Sequence, residues 1–186
     1  MIGLDNPFNN RIHPTAIIGD NVKLGLGVKI GAYTVIYDNV TIGDGTYIGA
    51  GCLIGSPAED KSNWLTSEYG VEIGDNVIIN GAVTIDSGTC CDTTVENSAF
   101  IMKGVHIGHD AIIRQSAVLS PRVLIGGHSI VGANTNMGMG SIVHQRVEVR
   151  SGCMIGMGTV ITKKTEVEAN SCYVGNPARY LRSNIR

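Results

Sequence analysis

The chemistry-bearing residues of this chain are concentrated in one stretch. His106, His109, His128 and His144 are four of its five histidines, and Asp110 directly follows His109. An imidazole beside a carboxylate is a proton-transfer pair. The carboxylate fixes the ring tautomer, and the other nitrogen titrates near neutral pH. Three imidazoles could instead hold a zinc ion with an open fourth position. Both chemistries require residues distant in sequence to meet.

A six-residue period brings them together. Ile12, Ile18, Leu24, Ile30, Ile36, Ile42, Ile48 and Ile54 fall in one register. A second register runs from Val95 through Ile101, Ile107, Ile113, Leu119, Ile125, Val131, Met137 and Val143 to Val167. Four residues after each aliphatic stands a small or β-branched residue, such as Ala99, Ala111, Ser129 or Thr135. A helix repeats near 3.6 residues and a strand at 2; a period of six marks a parallel β-helix. The fold class expected is all-β, one domain over 1–186, with about nine triangular coils stacked at roughly 4.8 Å. Three hexapeptides make a coil, so Ile107, Ile125 and Val143 start the same face of successive coils. His109, His128 and His144 then project from one edge, with His106 leading into it. Counting back places Asp86 in the same patch.

Two interruptions are expected as loops, over about 55–72 and 87–94. The first holds Asp60, Lys61 and Trp64 and springs from the histidine-bearing face; the second holds Cys90-Cys91. Loops that leave a regular scaffold are frequent seats of function. Residues 176–186 read as a short tail, with Arg179, Arg182 and Arg186 solvated. His13 lies far from the patch and reads as structural. Met139 and Met157 share one position a coil apart, near Met137 and Met154. They suit an irregular apolar groove or plain filling.

Composition narrows the functions. Charged residues make up 16% and aromatics 5%, and the net charge is -2 with no basic stripe, so no nucleic-acid partner is expected. No apolar run approaches a transmembrane span. The start, Met1 to Pro7, has neither region of a signal peptide, and five cysteines without a CxxC motif fit a cytoplasmic protein. Flat apolar flanks with few charges favour association.

His106-Ile107-Gly108-His109-Asp110, Gly126-Gly127-His128 and Val143-His144-Gln145 together resemble the UDP-N-acetylglucosamine O-acyltransferases of lipid A biosynthesis. Ile12-His13-Pro14-Thr15-Ala16 and Val71-Glu72-Ile73-Gly74-Asp75 are similar to the start and mid-chain restart of that family. The resemblance implies a left-handed β-helix, a homotrimer with sites between subunits, and no bound cofactor or metal. It implies a thioester co-substrate, on acyl carrier protein or as acetyl- or acyl-CoA, and a sugar or nucleotide-sugar acceptor. Carried over, His109 is the general base, Asp110 orients it, and the Gly127 N–H serves the oxyanion. His106, His128, His144, Gln145, Asp86, Asp60 and Lys61 hold substrate, and Met157, beside Met139, sets acyl-chain length. The family's C-terminal helical domain is expected to be absent. The segment Tyr173-Val174-Gly175-Asn176-Pro177-Ala178-Arg179 is similar instead to coenzyme A-dependent hexapeptide acetyltransferases. A γ-type carbonic anhydrase-like zinc enzyme and a non-catalytic assembly module remain the alternatives.

Overall fold

The computed structural model describes residues 11–62 and 68–184. Trp64, Arg186 and Met1 to Pro7 lie outside them. The chain winds as a left-handed parallel β-helix of about nine turns. Its three faces are sheets of ten, eight and seven strands, parallel except for the last strand of the first, and are entered in turn at Arg11–Ile12, Ile17–Ile18 and Lys23–Leu24. Among the described residues no helix is long and apolar enough to cross a membrane.

Most hexapeptides yield a strand of two or three residues whose last aliphatic turns inward. Ile101, Ile107, Ile113, Leu119 and Ile125 are all 0% exposed. The small residue four positions later is buried with them, at Ala99, Ala111, Ala117, Ser129 and Thr135. Only a small or β-branched side chain stands there, Val105 and Val123 among them, because the chain is already bending toward the next face. Two of the buried hydroxyls are paired across the stack: Ser129 Oγ donates to the His144 carbonyl at 2.9 Å and Thr135 Oγ1 to that of Arg150 at 2.9 Å, whereas those of Ser141 and Thr159 have no partner among the described residues.

The corners have a strict conformation. The third residue after most of the inward aliphatics is left-handed, with φ of 58° at His128, 61° at Arg122 and 55° at Asn134. This turns its N–H toward the preceding coil. His128, Arg122 and Asn134 donate to the carbonyls of His109, Lys103 and Gln115 at 2.8, 3.0 and 3.0 Å. Asn and Gly tolerate this region best, yet Arg, Tyr, His and Asp also occupy it here.

The first excursion leaves the coil after Ser56, and the stack resumes at Val71. The second spans the residues between Asp86 and Thr93. The stretch expected as a tail departs from that reading. Arg179–Ser183 returns as a strand antiparallel to Ser171–Val174, and Tyr180 packs edge-on against Tyr173 at 5.9 Å. Pairing there satisfies backbone groups of the last rung and covers the Tyr173 ring, while Arg179 and Arg182 stay exposed as expected.

The corner conformation can be tested where nothing else changes. At Gly140, φ is +66° and no atom lies within 4 Å of where a Cβ would stand. Gly140→Ala is therefore expected to lower stability by about 1–2 kcal/mol through backbone strain alone. Denaturant midpoints at constant m-value measure this; an unchanged midpoint would refute the account of the corners.

Candidate active site

The second face carries the strands Leu53–Ser56, Thr84–Asp86, His106–Ile107, Leu124–Ile125 and Ile142–Val143 side by side. Residues leaving these strands therefore line up at one edge of the prism. His109, Gly127 and Gln145 take the second corner position of successive coils; Asp110, His128 and Arg146 take the left-handed third. Corner bonds fix their spacing, the Arg146 N–H donating to the Gly127 carbonyl at 2.9 Å.

His109 and Asp110 form the core of the site. His109 Nδ1 lies 2.6 Å from Asp110 Oδ2. With a carboxylate on Nδ1, the ring proton sits there and Nε2 presents its lone pair. His128 stands edge-on to His109, ring centroids 5.0 Å apart at 85°, with Nε2 3.5 Å from the same Asp110 oxygen. Gly127 lies directly against the His109 ring, since a Cβ there would meet Nε2 at 2.7 Å. Gly127 is buried, and its amide has no backbone acceptor among the described residues.

The second excursion exists around Asp110. Three successive amides, of Thr89, Cys90 and Cys91, donate to Oδ1 at 2.8, 2.9 and 3.1 Å, and the Thr89 hydroxyl donates to Oδ2 at 2.7 Å. Asp110 is 4% exposed. Burial by itself would raise its carboxyl pKa. Hydrogen bonds from the Cys90 amide, the His109 ring, and the Thr89 hydroxyl and amide outweigh burial and hold it well below the usual carboxylate range. Asp110 is thus a fixed negative charge. Burial, helped by Arg146 and His109 against the opposing pull of Asp110, keeps the His128 pKa below its ordinary value. His128 is accordingly a neutral ring at neutral pH.

Other expected residues divide. His106 Nδ1 lies 2.9 Å from Thr84 Oγ1 and its Nε2 3.8 Å from buried Asp86, so both join the cleft. Asp60 acts electrostatically on His128 and accepts the Ser62 amide at 2.9 Å. Lys61 is exposed. His144 is exposed and engages the Gln145 carbonyl through Nδ1 at 3.0 Å, and the Gln145 side chain stays in solvent. Met139 and Met157 stack one above the other, 52% and 78% exposed. They occupy the corner where the first face meets the second, so within one chain the full width of the second face separates them from His109. Met137 is core filling at 0% exposure. His13, held by Thr15 at 2.9 Å, lies at the first coil, away from the cleft. Thr89, the Cys90 and Cys91 amides, Thr84 and Ser56 escaped the sequence reading. For Thr84 a signal existed, since it pairs in register with His106.

Among the described residues, two groups bring metal-ligating atoms within 4.8 Å: His109, Asp110 and His128, and Cys90, Cys91 and Asp110. In both, the Asp110 oxygens already accept several hydrogen bonds. Burial and the Asp110 charge push the Cys91 thiol up to about 11, which opposes the thiolate that a metal requires. The first group offers two imidazoles, whereas a three-histidine zinc centre needs a third.

Known proteins resemble this chain in sequence and in fold. Residues 24–56 match the family described as bacterial transferase hexapeptide (six repeats), and residues 128–163 the hexapeptide repeat of succinyl-transferase. The acyl-[acyl-carrier-protein]–UDP-N-acetylglucosamine O-acyltransferase of Paraburkholderia phymatum is 39% identical over 160 residues, covering 75% of this chain and 61% of the relative. The solved UDP-N-acetylglucosamine O-acyltransferase of Moraxella catarrhalis is similar with a TM-score of 0.72 at 31% identity, over 93% of this chain and 74% of that one. LpxA of Acinetobacter baumannii superposes with a TM-score of 0.80 at 28% identity, over 93% and 74%. The chain spans about half the length of the curated relatives it matches, 46% and 59% for two of them.

The Asp110 clamp has a pH signature. A carboxyl whose folded pKa is depressed stabilises the fold above the unfolded carboxyl range, and that contribution is lost as pH falls through the folded pKa. Thr89→Val removes one donor, at a cost of about 1–3 kcal/mol, and lifts the Asp110 pKa. Acid unfolding followed by circular dichroism should then begin at higher pH than in the unsubstituted protein. An unchanged acid midpoint would contradict the clamp.

Proposed function

Because the chain belongs to the hexapeptide-repeat acyltransferases, we propose that it moves an acyl group from a thioester to a hydroxyl or amine of a sugar nucleotide of the UDP-N-acetylglucosamine type. The donor is carried on acyl carrier protein or coenzyme A. The observation that carries this reading is the 2.6 Å His109–Asp110 contact with Nε2 lying over Gly127. A sugar hydroxyl is a weak nucleophile until a general base takes its proton. His109 Nε2 is that base. Asp110, permanently ionised in its clamp, holds the tautomer and stabilises the imidazolium that forms. As the nucleophile attacks the thioester carbon, the carbonyl oxygen gains charge, and the Gly127 amide donates to it. The imidazolium then returns the proton to the departing thiolate. Neutral His128, His106, and the corner residues His144 and Gln145 bind the acceptor and donor around this centre, with Asp60 and Lys61 contributed by the long loop.

A homotrimer completes the site in this reading. Outward residues of the first face, Tyr47 and Ile78, and of the second, Leu124 and Ile142, are apolar and 37–45% exposed. Covering them removes apolar surface from water. Met139 and Met157 stand on the corner that bounds both of these faces, so they lie at the far end of the same interface from the histidine edge and form the wall that limits acyl length. Five free thiols, two of them exposed, fit a reducing cytoplasmic setting.

His109→Ala is expected to lower transfer by about 10²–10⁴-fold while the trimer persists in light scattering. Near-full activity of this variant would sink the assignment. Met157→Gly should shift preference toward longer acyl donors, because each added buried methylene is worth about 0.8 kcal/mol. Kinetics over a ladder of donor lengths decide it; an optimum unmoved by the substitution would remove Met157 from the acyl site.

A further inference from the structure

Cys90 and Cys91 are adjacent, and both are exposed, while Cys52, Cys153 and Cys172 are buried. Their sulfur atoms lie within 4.8 Å of each other and of an Asp110 carboxylate oxygen. No step of the proposed reaction uses these thiols. Their backbone nevertheless belongs to the Asp110 clamp. Both amides donate to Oδ1, and the Cys91 thiol meets the same oxygen at 3.6 Å. Two solvent-facing thiols are thus tied to the carboxylate that orients His109.

The loop that holds them is pinned at its ends. The Gly88 and Thr93 amides both donate to the Gly70 carbonyl, at 3.1 and 3.2 Å, and Asp92 Oδ1 accepts the Gly70 amide at 2.7 Å. The Cys91 carbonyl lies so close over Gly88 that a side chain there would collide with it. A disulfide draws two sulfurs to about 2.05 Å and normally joins Cα atoms about 4.4–6.8 Å apart, whereas a trans peptide sets neighbouring Cα atoms at about 3.8 Å. Joining Cys90 to Cys91 must therefore turn the peptide between them. Pinned ends cannot absorb that turn, so it falls on the peptide's own N–H, the Cys91 donor to Asp110. The bond also consumes the thiol proton that Cys91 offers to Oδ1. We propose that Cys90–Cys91 is a thiol-oxidation site for small disulfides such as oxidised glutathione, and that closing the bridge loosens the Asp110 clamp and slows the enzyme. Only the effect on rate rests on the acyl-transfer reading.

The Cys90 thiol releases its proton to solvent, and its thiolate attacks one sulfur of the small disulfide. That S–S bond breaks with its pair on the departing sulfur, which takes up a proton. Cys91 then gives its proton to solvent and attacks the Cys90 sulfur of the mixed disulfide. The second small thiolate leaves and is protonated in turn. Two protein thiols are oxidised, and one small disulfide is reduced to two thiols. Cys90 starts the exchange, because burial and the Asp110 charge push the Cys91 thiol up to about 11. Excess small thiol reverses the sequence, since the bridge stays exposed.

The test equilibrates the full chain with oxidised or reduced glutathione, quenches it by alkylation, and weighs the tryptic peptide 62–103, which holds these two cysteines and no other. The oxidised peptide is expected to lack two hydrogens and to carry no glutathione. Amide hydrogen exchange over residues 89–91 should quicken about 10-fold or more in the bridged protein. Acyl transfer to UDP-N-acetylglucosamine from acetyl-CoA and acyl carrier protein thioesters should fall about 10-fold or more and return with dithiothreitol. Cys90→Ser and Cys91→Ser, each compared with itself before and after oxidation, should show neither the bridge nor the faster exchange. Glutathione adducts without a bridge, or no modification at all, overturn the site. A bridge that leaves exchange at 89–91 unchanged overturns the link to Asp110. Equal transfer rates in the bridged and open protein overturn the effect on the enzyme and leave acyl transfer standing. If the bridge forms and exchange quickens but neither state transfers an acyl group, the acyl-transfer reading fails and the oxidation site stands.

Discussion

The hydrogen bond between a left-handed corner residue and the carbonyl of the coil before it holds this structure in phase. It recurs from Asn39, which donates to Asp20, through His128 on His109 to Gly158 on Met139. Strand ladders alone would allow coils to slip, because two-residue strands offer few bonds each. The corner bond ties each turn to its predecessor at a defined residue. Catalytic geometry inherits that precision. His109 and His128 meet edge-on at 5.0 Å because their backbones are directly bonded one coil apart.

Within this frame the site departs from the scaffold at one point. Asp110 occupies a left-handed corner, but its amide donates to Thr93 Oγ1 at 2.8 Å instead of to a carbonyl of the preceding coil. The excursion over residues 87–92 displaces that coil and folds its own amides onto the carboxylate. Burial of a charge, ordinarily costly, is offset here by a dense set of donors. The charge stays fixed while the neighbouring ring remains available. Asp86 is the counterpart, buried with a single donor and left with unused capacity.

Much of this was legible in the residues. The six-residue period gave the fold, and addition of whole coils placed Asp86, His106, His109, His128 and His144 on one face. Both interruptions were visible as breaks in aliphatic register. What the second one does was not, because Asp110 is held largely by the amides of Thr89, Cys90 and Cys91, and backbone donors leave no mark on side-chain identity. The left-handed corners were half visible: Asn and Gly announce them at Asn21, Gly27 and Asn39, but Tyr33, Arg122 and Arg146 take the same conformation under tertiary constraint. The strand Arg179–Ser183 was missed because it lies outside the hexapeptide register and pairs in the opposite direction.

The way the second excursion is inserted has a consequence for how such a chain tolerates changes in length. Each hexapeptide rotates the path by a third of a turn, so position in the sequence acts as an angle. Ten residues separate Ile85 from Val95, four more than the period, yet the strands on either side still stack on their proper neighbours. The surplus bulges outward at a corner and adds no rotation. A six-residue deletion between Ile107 and Val143 would instead swing every later side chain to the adjacent face and dismantle the site without disturbing the core. Natural or engineered length variation is therefore confined to bulges at corners and to whole turns of 18 residues, the separation that the inter-coil bonds themselves display.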